Sequence, residues 1–182
     1  MNRIHERNRP LVILAVGVVV LLVVAGGVLL VGRTGPSPNP TPSTSSSASA
    51  SPSVDPSTPE GGTRAFFDAF ARARLTDDPS IVEPFVTGTS SSAYLTVDGF
   101  LRGQKEAGKA SVITTNELSG FGVDVQGQMA TVTVTQQLGG YDINVDSGKP
   151  RESPTLLPAT SFRVVLKLVD ARWLVDEFEP LQ

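Results

Sequence analysis

FGVDVQGQMATVTVT, residues 121–135, decides how this chain folds. Phe121, Val123 and Val125 alternate with small or polar residues, Gln126-Gly127 interrupts, and Ala130, Val132 and Val134 resume the alternation among Thr131, Thr133 and Thr135. A period of two places every second side chain on one face of a strand, so two such runs around a glycine-containing break predict an antiparallel hairpin. Upstream, the period of two begins near Ser111 and is weak over 112–118. Downstream, 161–169 carries Phe162, Val164, Leu166 and Leu168 at alternate positions, and 172–178 carries Trp173 and Val175. Asp170-Ala171 joins these two runs as a second turn.

Before residue 111 the spacing is helical. Thr58-Pro59-Glu60 has the form of a helix start: a capping hydroxyl, a proline at the first helical position and an acid facing the positive end of the dipole. Phe66, Phe67, Phe70 and Ala73 then share one face, while Arg64, Asp68, Arg72 and Arg74 point away from it. Gly61 and Gly62 weaken the first turn, which leaves Thr63 as an alternative cap. Asp77-Asp78-Pro79 repeats the pattern, so Asp78 is expected to cap a short helix through about Val82, ahead of Pro84. A third helix is expected to start within 89–92, to carry Tyr94, Leu95, Val97, Phe100 and Leu101, and to end near Gly108. Three helices followed by an antiparallel meander imply one α+β domain over 58–182.

The N-terminal third has a different character. Residues 11–32, LVILAVGVVVLLVVAGGVLLVG, carry no charge, and at 1.5 Å per residue they are long enough to cross a hydrocarbon core of roughly 30 Å. Arg3, Arg7 and Arg9 precede the run and only Arg33 follows closely, which predicts a cytoplasmic tail at 1–10 and an extracytoplasmic C-terminus. A cleaved signal peptide would end at small residues, but apolar Val28 to Val31 continues past Ala25-Gly26-Gly27, so the expectation is an uncleaved single-pass anchor in the cell membrane. Residues 33–57 form a linker: between Thr34 and Thr58, 19 of 25 residues are Pro, Ser or Thr, too few apolar groups to offset chain entropy. A disordered stalk is expected there, holding the domain clear of the lipid.

Composition excludes several chemistries from the domain. The chain has no cysteine, which removes disulfides, thiol nucleophiles and thiolate metal sites. Its one histidine, His5, falls in the predicted tail, so Ser-His-Asp and Cys-His mechanisms have no imidazole in the domain. From Arg64 onward there are 11 Lys/Arg against 15 Asp/Glu without a basic stripe, the wrong sign for a nucleic-acid partner. No cofactor is expected.

The order of elements, together with TPEGGTRAFFDAFARAR at 58–74 and ARWLVDEFEP at 171–180, resembles the nuclear transport factor 2-like superfamily, which includes SnoaL-type and ketosteroid isomerase-type domains. The resemblance implies a long first helix lying across a curved antiparallel sheet to form a cone. Its carriers are the aromatic first helix and the closing Ala171-Arg172-Trp173-Leu174-Val175. An anchor, a Pro/Ser stalk and one such domain are also similar to small envelope proteins of actinobacteria, including Mce-associated proteins. The superfamily hosts isomerases, dehydratases, transport factors and accessory modules, so fold does not convert into activity.

An isomerase-like cone would hold a general base and an oxyanion-stabilising group in an apolar pocket. The residues available for such a pocket are Tyr94, Asp124, Tyr141, Arg163 and Trp173, with Asp142 beside them. Asp124 sits between two valines of alternating type and is expected to face water, Tyr94 serves equally well as a core aromatic, and Trp173 as a major core residue. Asp142-x-Asn144-x-Asp146 begins like a calcium loop but has Ser147 where that loop needs glycine and Ser153 where it needs glutamate. The plainer expectation is a strand burying Tyr141, Ile143 and Val145 with the three polar residues outward, turning at 146–148. Residues 149–158 are expected to form a loop able to serve as a recognition edge. No catalytic constellation is assembled. The expectation is therefore a non-catalytic binding or accessory module of the cell envelope, touching the bilayer through 11–32 and another envelope protein through its domain. The alternative is a small-molecule-binding or isomerase-like domain using the interior of the cone.

Overall fold

The computed structural model describes residues 54–181. The expected tail, membrane helix and all but the last residues of the linker lie outside the described residues. Among the described residues no helix is long and apolar enough to cross a membrane.

Helix α1 spans Pro59–Thr76. Thr58 is its cap, accepting a hydrogen bond from the Gly61 amide at 3.1 Å. Thr63, the alternative cap, instead lies buried inside the helix, where its hydroxyl donates to the Pro59 carbonyl. A 3-10 helix follows over Pro79–Phe85, capped by Asp78; it runs through Pro84 rather than stopping before it, because a proline without an N–H is tolerated in so short a turn. Helix α2 spans Ser92–Glu106 with Ser91 as its cap. It buries Ala93, Val97, Leu101 and Gln104, whereas Leu95 and Phe100, which the expected helix also carries, stay more than 40% exposed.

Five strands make one antiparallel sheet: β1 (Lys109–Gln126), β2 (Met129–Asn144), β3 (Thr155–Leu156), β4 (Thr160–Val169) and β5 (Arg172–Pro180). Their order is β1-β2-β4-β5, with β3 beside β2 at Gly139 and Gly140, so the loop expected at 149–158 contains a short strand. The β1–β2 turn puts Gly127 at φ 64°, and the β4–β5 turn puts both Asp170 and Ala171 at positive φ, the conformation of a two-residue hairpin loop. The weak alternation over 112–118 has a structural cause. β1 bulges between Ile113 and Thr115 and again between Ser119 and Gly122, and each extra residue shifts the alternation.

β2 has no such break. Its register runs without interruption from Met129 to Asn144, so the even-numbered residues that bury Ala130, Val132 and Val134 continue inward through Gln136, Leu138, Gly140 and Asp142. The expectation that Asp142 faces outward and Val145 is buried is therefore corrected: Asp142 faces the helices and Val145 is 53% exposed. A single-residue offset in register exchanges the two faces of a strand, and 141–145 taken alone does not reveal that it continues the run begun at Ala130.

The core lies between the helices and the inner face of this curved sheet. Phe66, Phe67, Ala69 and Ala73 of α1 meet Val132, Val134, Val164, Leu166 and Val175, and Trp173 is buried among them as expected. Close approach of α1 to β5 explains one glycine of its first turn, Gly62, while Gly61 is held close to the Asp55 carbonyl. A Cβ on Gly62 would stand 2.3 Å from the Trp173 carbonyl oxygen, so the position admits no side chain. Residues 55–57 are tied to the same place, since the Trp173 amide donates to the Pro56 carbonyl at 2.9 Å.

Candidate functional site

The inner face is filled in two ways. At one end, α1 supplies Phe66, Phe67 and Phe70, β4 supplies Phe162 and β5 supplies Phe178. Phe178 lies 5.1 Å from Phe66, 6.0 Å from Phe70 and 6.1 Å from Phe162, while Phe67 meets Phe162 at 5.3 Å, mostly edge to face. Aromatic quadrupoles favour this geometry, and the rings fill this end of the inner face.

At the other end the same face is polar. Lys109 Nζ stands 2.6 Å from Asp142 Oδ2, and Ser111 Oγ lies 2.7 Å from Asp142 Oδ1 and 3.0 Å from Gln104 Oε1. Gln104 Nε2 donates onward to Asp77 Oδ1 and to the Arg74 carbonyl. This chain ties the end of α1, the end of α2 and the β1–β2 pair together. Burial pushes the Asp142 carboxyl up, but hydrogen bonds from Lys109 and Ser111 and the nearby charges of Lys109 and Arg74 outweigh it, leaving it below the usual carboxylate range. A carboxylate held that way is a weak base. Burial raises Asp77 instead, against its hydrogen bond from Gln104.

Arg74 completes this end and departs from expectation. Rather than pointing into solvent, its guanidinium lies over the Phe100 ring at 4.8 Å and near Phe70 at 5.9 Å, with Nε buried and without a hydrogen-bond partner. Burial lowers its pKa and Asp142 partly restores it. Its place four residues after Phe70 was the available signal, because i and i+4 side chains share a helix face. Gln104 and Ser111, the other buried polar residues here, had no comparable signal.

The residues named from sequence are dispersed. Asp124, Tyr141 and Arg163 all lie on the outer face of the sheet: Asp124 pairs with Thr131, Arg163 with Thr133, and Tyr141 shares their parity on β2. Asp124 is exposed and bonded to Gln126, and Arg163 pairs with Glu179 at 2.7 Å. Tyr94 lies on α2 with its hydroxyl 3.4 Å from Glu83; burial and the carboxylates of Glu83 and Asp98 raise its pKa. Trp173 sits in the core beside Gly62. The calcium-like segment is likewise occupied by its own bonds. Asp142 turns to Lys109 and Ser111, and Asn144 Oδ1 accepts from the Ser147 amide and hydroxyl within the turn closed by Gly148. Among the described residues no cluster of three acidic or histidine side chains is placed to hold a metal.

Of the depressions beside α1, two share Asp68 and Arg72. One, about 410 Å³, runs between α1 and β1 and is lined by Asp68, Arg72, Leu75, Ile113 and Asn116 among others. Its neighbour, about 260 Å³, shares Asp68 and Arg72 and is bounded by Phe85 and Arg172. Asp68 accepts from Asn116 Nδ2 at 2.9 Å, and Asn116 accepts from Gln136, so the acid is already engaged.

No model of a protein family matches the sequence, and no curated protein matches it. Among solved structures, the chain is similar to the intermembrane space region of the chloroplast protein ARC6, with a TM-score of 0.54 at 16% identity over 71% of this chain and 98% of that one. At that identity the likeness is one of fold alone. An NTF2-like protein with a cystatin-like fold from Novosphingobium aromaticivorans aligns at a TM-score of 0.40 and 15% identity, over 67% of this chain and 80% of that one. An NTF2-like protein from Cytophaga hutchinsonii aligns at 0.43 and 13%, over 68% and 97%.

Proposed function

We propose that this protein is a membrane-anchored, extracytoplasmic binding or accessory module of the cell envelope, and that its domain does no catalysis. The observation that carries the reading is the filled interior: five phenylalanines pack where a small-molecule domain would keep an apolar cavity with convergent polar groups. The remaining inward polar groups are bonded to one another, and the depressed Asp142 is a poor proton acceptor. Placement rests on residues 11–32 and the arginines before them.

The test uses the full-length chain in intact cells. After lysis and alkaline washing it is expected in the membrane pellet, with the linker at 33–57 cut by protease added from outside. Photo-crosslinkers distributed over the domain surface are expected to join it to one envelope protein, reproduced when the label is placed on that partner. Recovery in the aqueous fraction, or crosslinks to no protein from any face, overturns the reading.

A further inference from the structure

The depressions beside α1 differ in charge. The one along β1 holds one acid and one cation, Asp68 and Arg72. Another, about 410 Å³ at the start of α1, holds Asp55 and Glu60 against Arg64, and Arg64 is already paired with Glu60 at 2.7 Å. The depression of about 260 Å³ reverses the balance. Arg72 and Arg172 line it against Asp68 alone, and Asp68 accepts from Asn116. Both arginines are exposed and, among the described residues, neither forms an ion pair; Arg172 donates at 3.4 Å to the Pro84 carbonyl. In a domain whose carboxylates outnumber its cations 15 to 11, this place favours a single negative charge.

The rest of the lining says what carries that charge. Val54, Pro56, Ala65 and Phe85 are apolar, so the occupant gains from carbon beside its anionic group. Val54 and Pro56 are also where the domain joins residues 33–53, which separate it from the apolar run ending at Gly32. Some 20 residues span at most about 75 Å even when fully extended, so a bilayer holding that run keeps its surface permanently within reach of this depression. Tethering raises the effective concentration of such a surface far above that of any free ligand. An anionic lipid offers both parts, a singly charged phosphodiester and the glycerol and acyl carbons next to it.

From this arrangement we infer that the depression between α1, the 3-10 helix and β5 binds the phosphodiester headgroup of an anionic lipid in the bilayer that anchors the chain. Arg72 and Arg172 meet the phosphate, while Phe85, Val54 and Pro56 lie against the carbons beside it. The domain is thereby laid on the membrane surface instead of being held clear of it. This rests on the membrane-anchored part of the proposed function and adds a lipid partner to it.

The test uses the full-length chain in nanodiscs of phosphatidylcholine, with and without phosphatidylglycerol, both containing lipid with a nitroxide-labelled headgroup. Because the chain has no cysteine, a dye can be attached singly at Ser57→Cys, next to Pro56, or at Ser153→Cys, in the loop that bonds to Asp142 beyond the far end of α1. Phosphatidylglycerol is expected to raise quenching at Ser57→Cys well above that at Ser153→Cys. Arg72→Glu with Arg172→Glu is expected to lower the ratio of docked to free domain at least about tenfold, since each arginine near an anionic surface contributes about fivefold. Arg72→Lys with Arg172→Lys keeps both charges and is expected to retain at least about half of the quenching. Equal quenching with and without phosphatidylglycerol, a loss under about twofold in the Glu pair, or stronger quenching at Ser153→Cys overturns the inference. Displacement by millimolar inorganic phosphate would give the site to a free anion, and a photo-crosslink from Ala65 to a protein carboxylate segment would give it to a protein; either also overturns it. A chain that stays in the membrane pellet without dependence on phosphatidylglycerol loses only this docking, whereas recovery in the aqueous fraction removes the anchor reading itself.

Discussion

The two ends of the inner face hold α1 and α2 to the same sheet by different physics. At the phenylalanine end, five rings exclude water and gain from contact, with nothing to satisfy beyond shape. At the Asp142 end, a lysine, a serine, a glutamine and a carboxylate are taken partly out of water and stabilise the fold only because each is bonded to another. The comparison teaches where tolerance to change lies. Ring packing should yield large, pH-independent losses, and the polar end smaller losses that depend on protonation.

The largest expected effect is at the ring end. Phe67→Ala leaves a cavity in a residue only 1% exposed, and is expected to destabilise by about 3–5 kcal/mol in denaturant titration. A loss below about 1 kcal/mol would mean that the cluster is loosely packed and the contrast is false. Gly62→Ala probes the same end from the backbone: its Cβ would fall 2.3 Å from the Trp173 carbonyl, and overpacking is expected to destabilise by about 1–3 kcal/mol.

At the polar end, Asp142→Asn is expected to destabilise by about 1–2 kcal/mol at neutral pH, discounted for the partial exposure of both Lys109 and Asp142. The pH dependence is the sharper readout. Because the folded carboxyl lies below its unfolded value of about 3.9, its contribution is fully present above that pH and is lost as pH falls through the folded value. The Asn variant should lack this acid-side loss; equal slopes for the two proteins would remove Asp142 from the account. On the outer face, Arg163→Ala breaks an exposed pair with Glu179 and is expected to change stability by less than about 1 kcal/mol. Asp77→Asn has the opposite sign to Asp142→Asn. Burial raises the Asp77 carboxyl, so removing its charge should leave stability at pH 7 unchanged or slightly higher, while Asn still accepts from Gln104 and tolerates the left-handed backbone at φ 52°.

Much of the architecture was legible from local signals. The Thr58-Pro59 cap, the Asp78 cap, the Gly127 turn and the alternation of Phe162 to Leu168 each depend on neighbours within a few residues, and each stands where expected. The candidate site was less legible. Tyr94, Asp124, Tyr141 and Arg163 were gathered by chemical type, and the pleat of the sheet then distributes three of them over the outer face. The inward position of Asp142 follows from one unbroken register over the whole of β2. That continuity depends on the bulges falling in β1 instead.

Apart from the short β3, residue order alone determined the sequence of helices and strands, the main caps and turns between them, and the absence of imidazole and thiol chemistry from residues 54–181, because propensity, periodicity and composition act over short distances along the chain. The tertiary structure decided which strand takes up the extra residues of a bulge, that Arg74 stacks on Phe100 while Arg72 shares a depression with Arg172, and that Gly62 is needed against Trp173. Those outcomes rest on contacts between segments tens of residues apart. No local rule carries them, since the free energy of each depends on what the other segment brings.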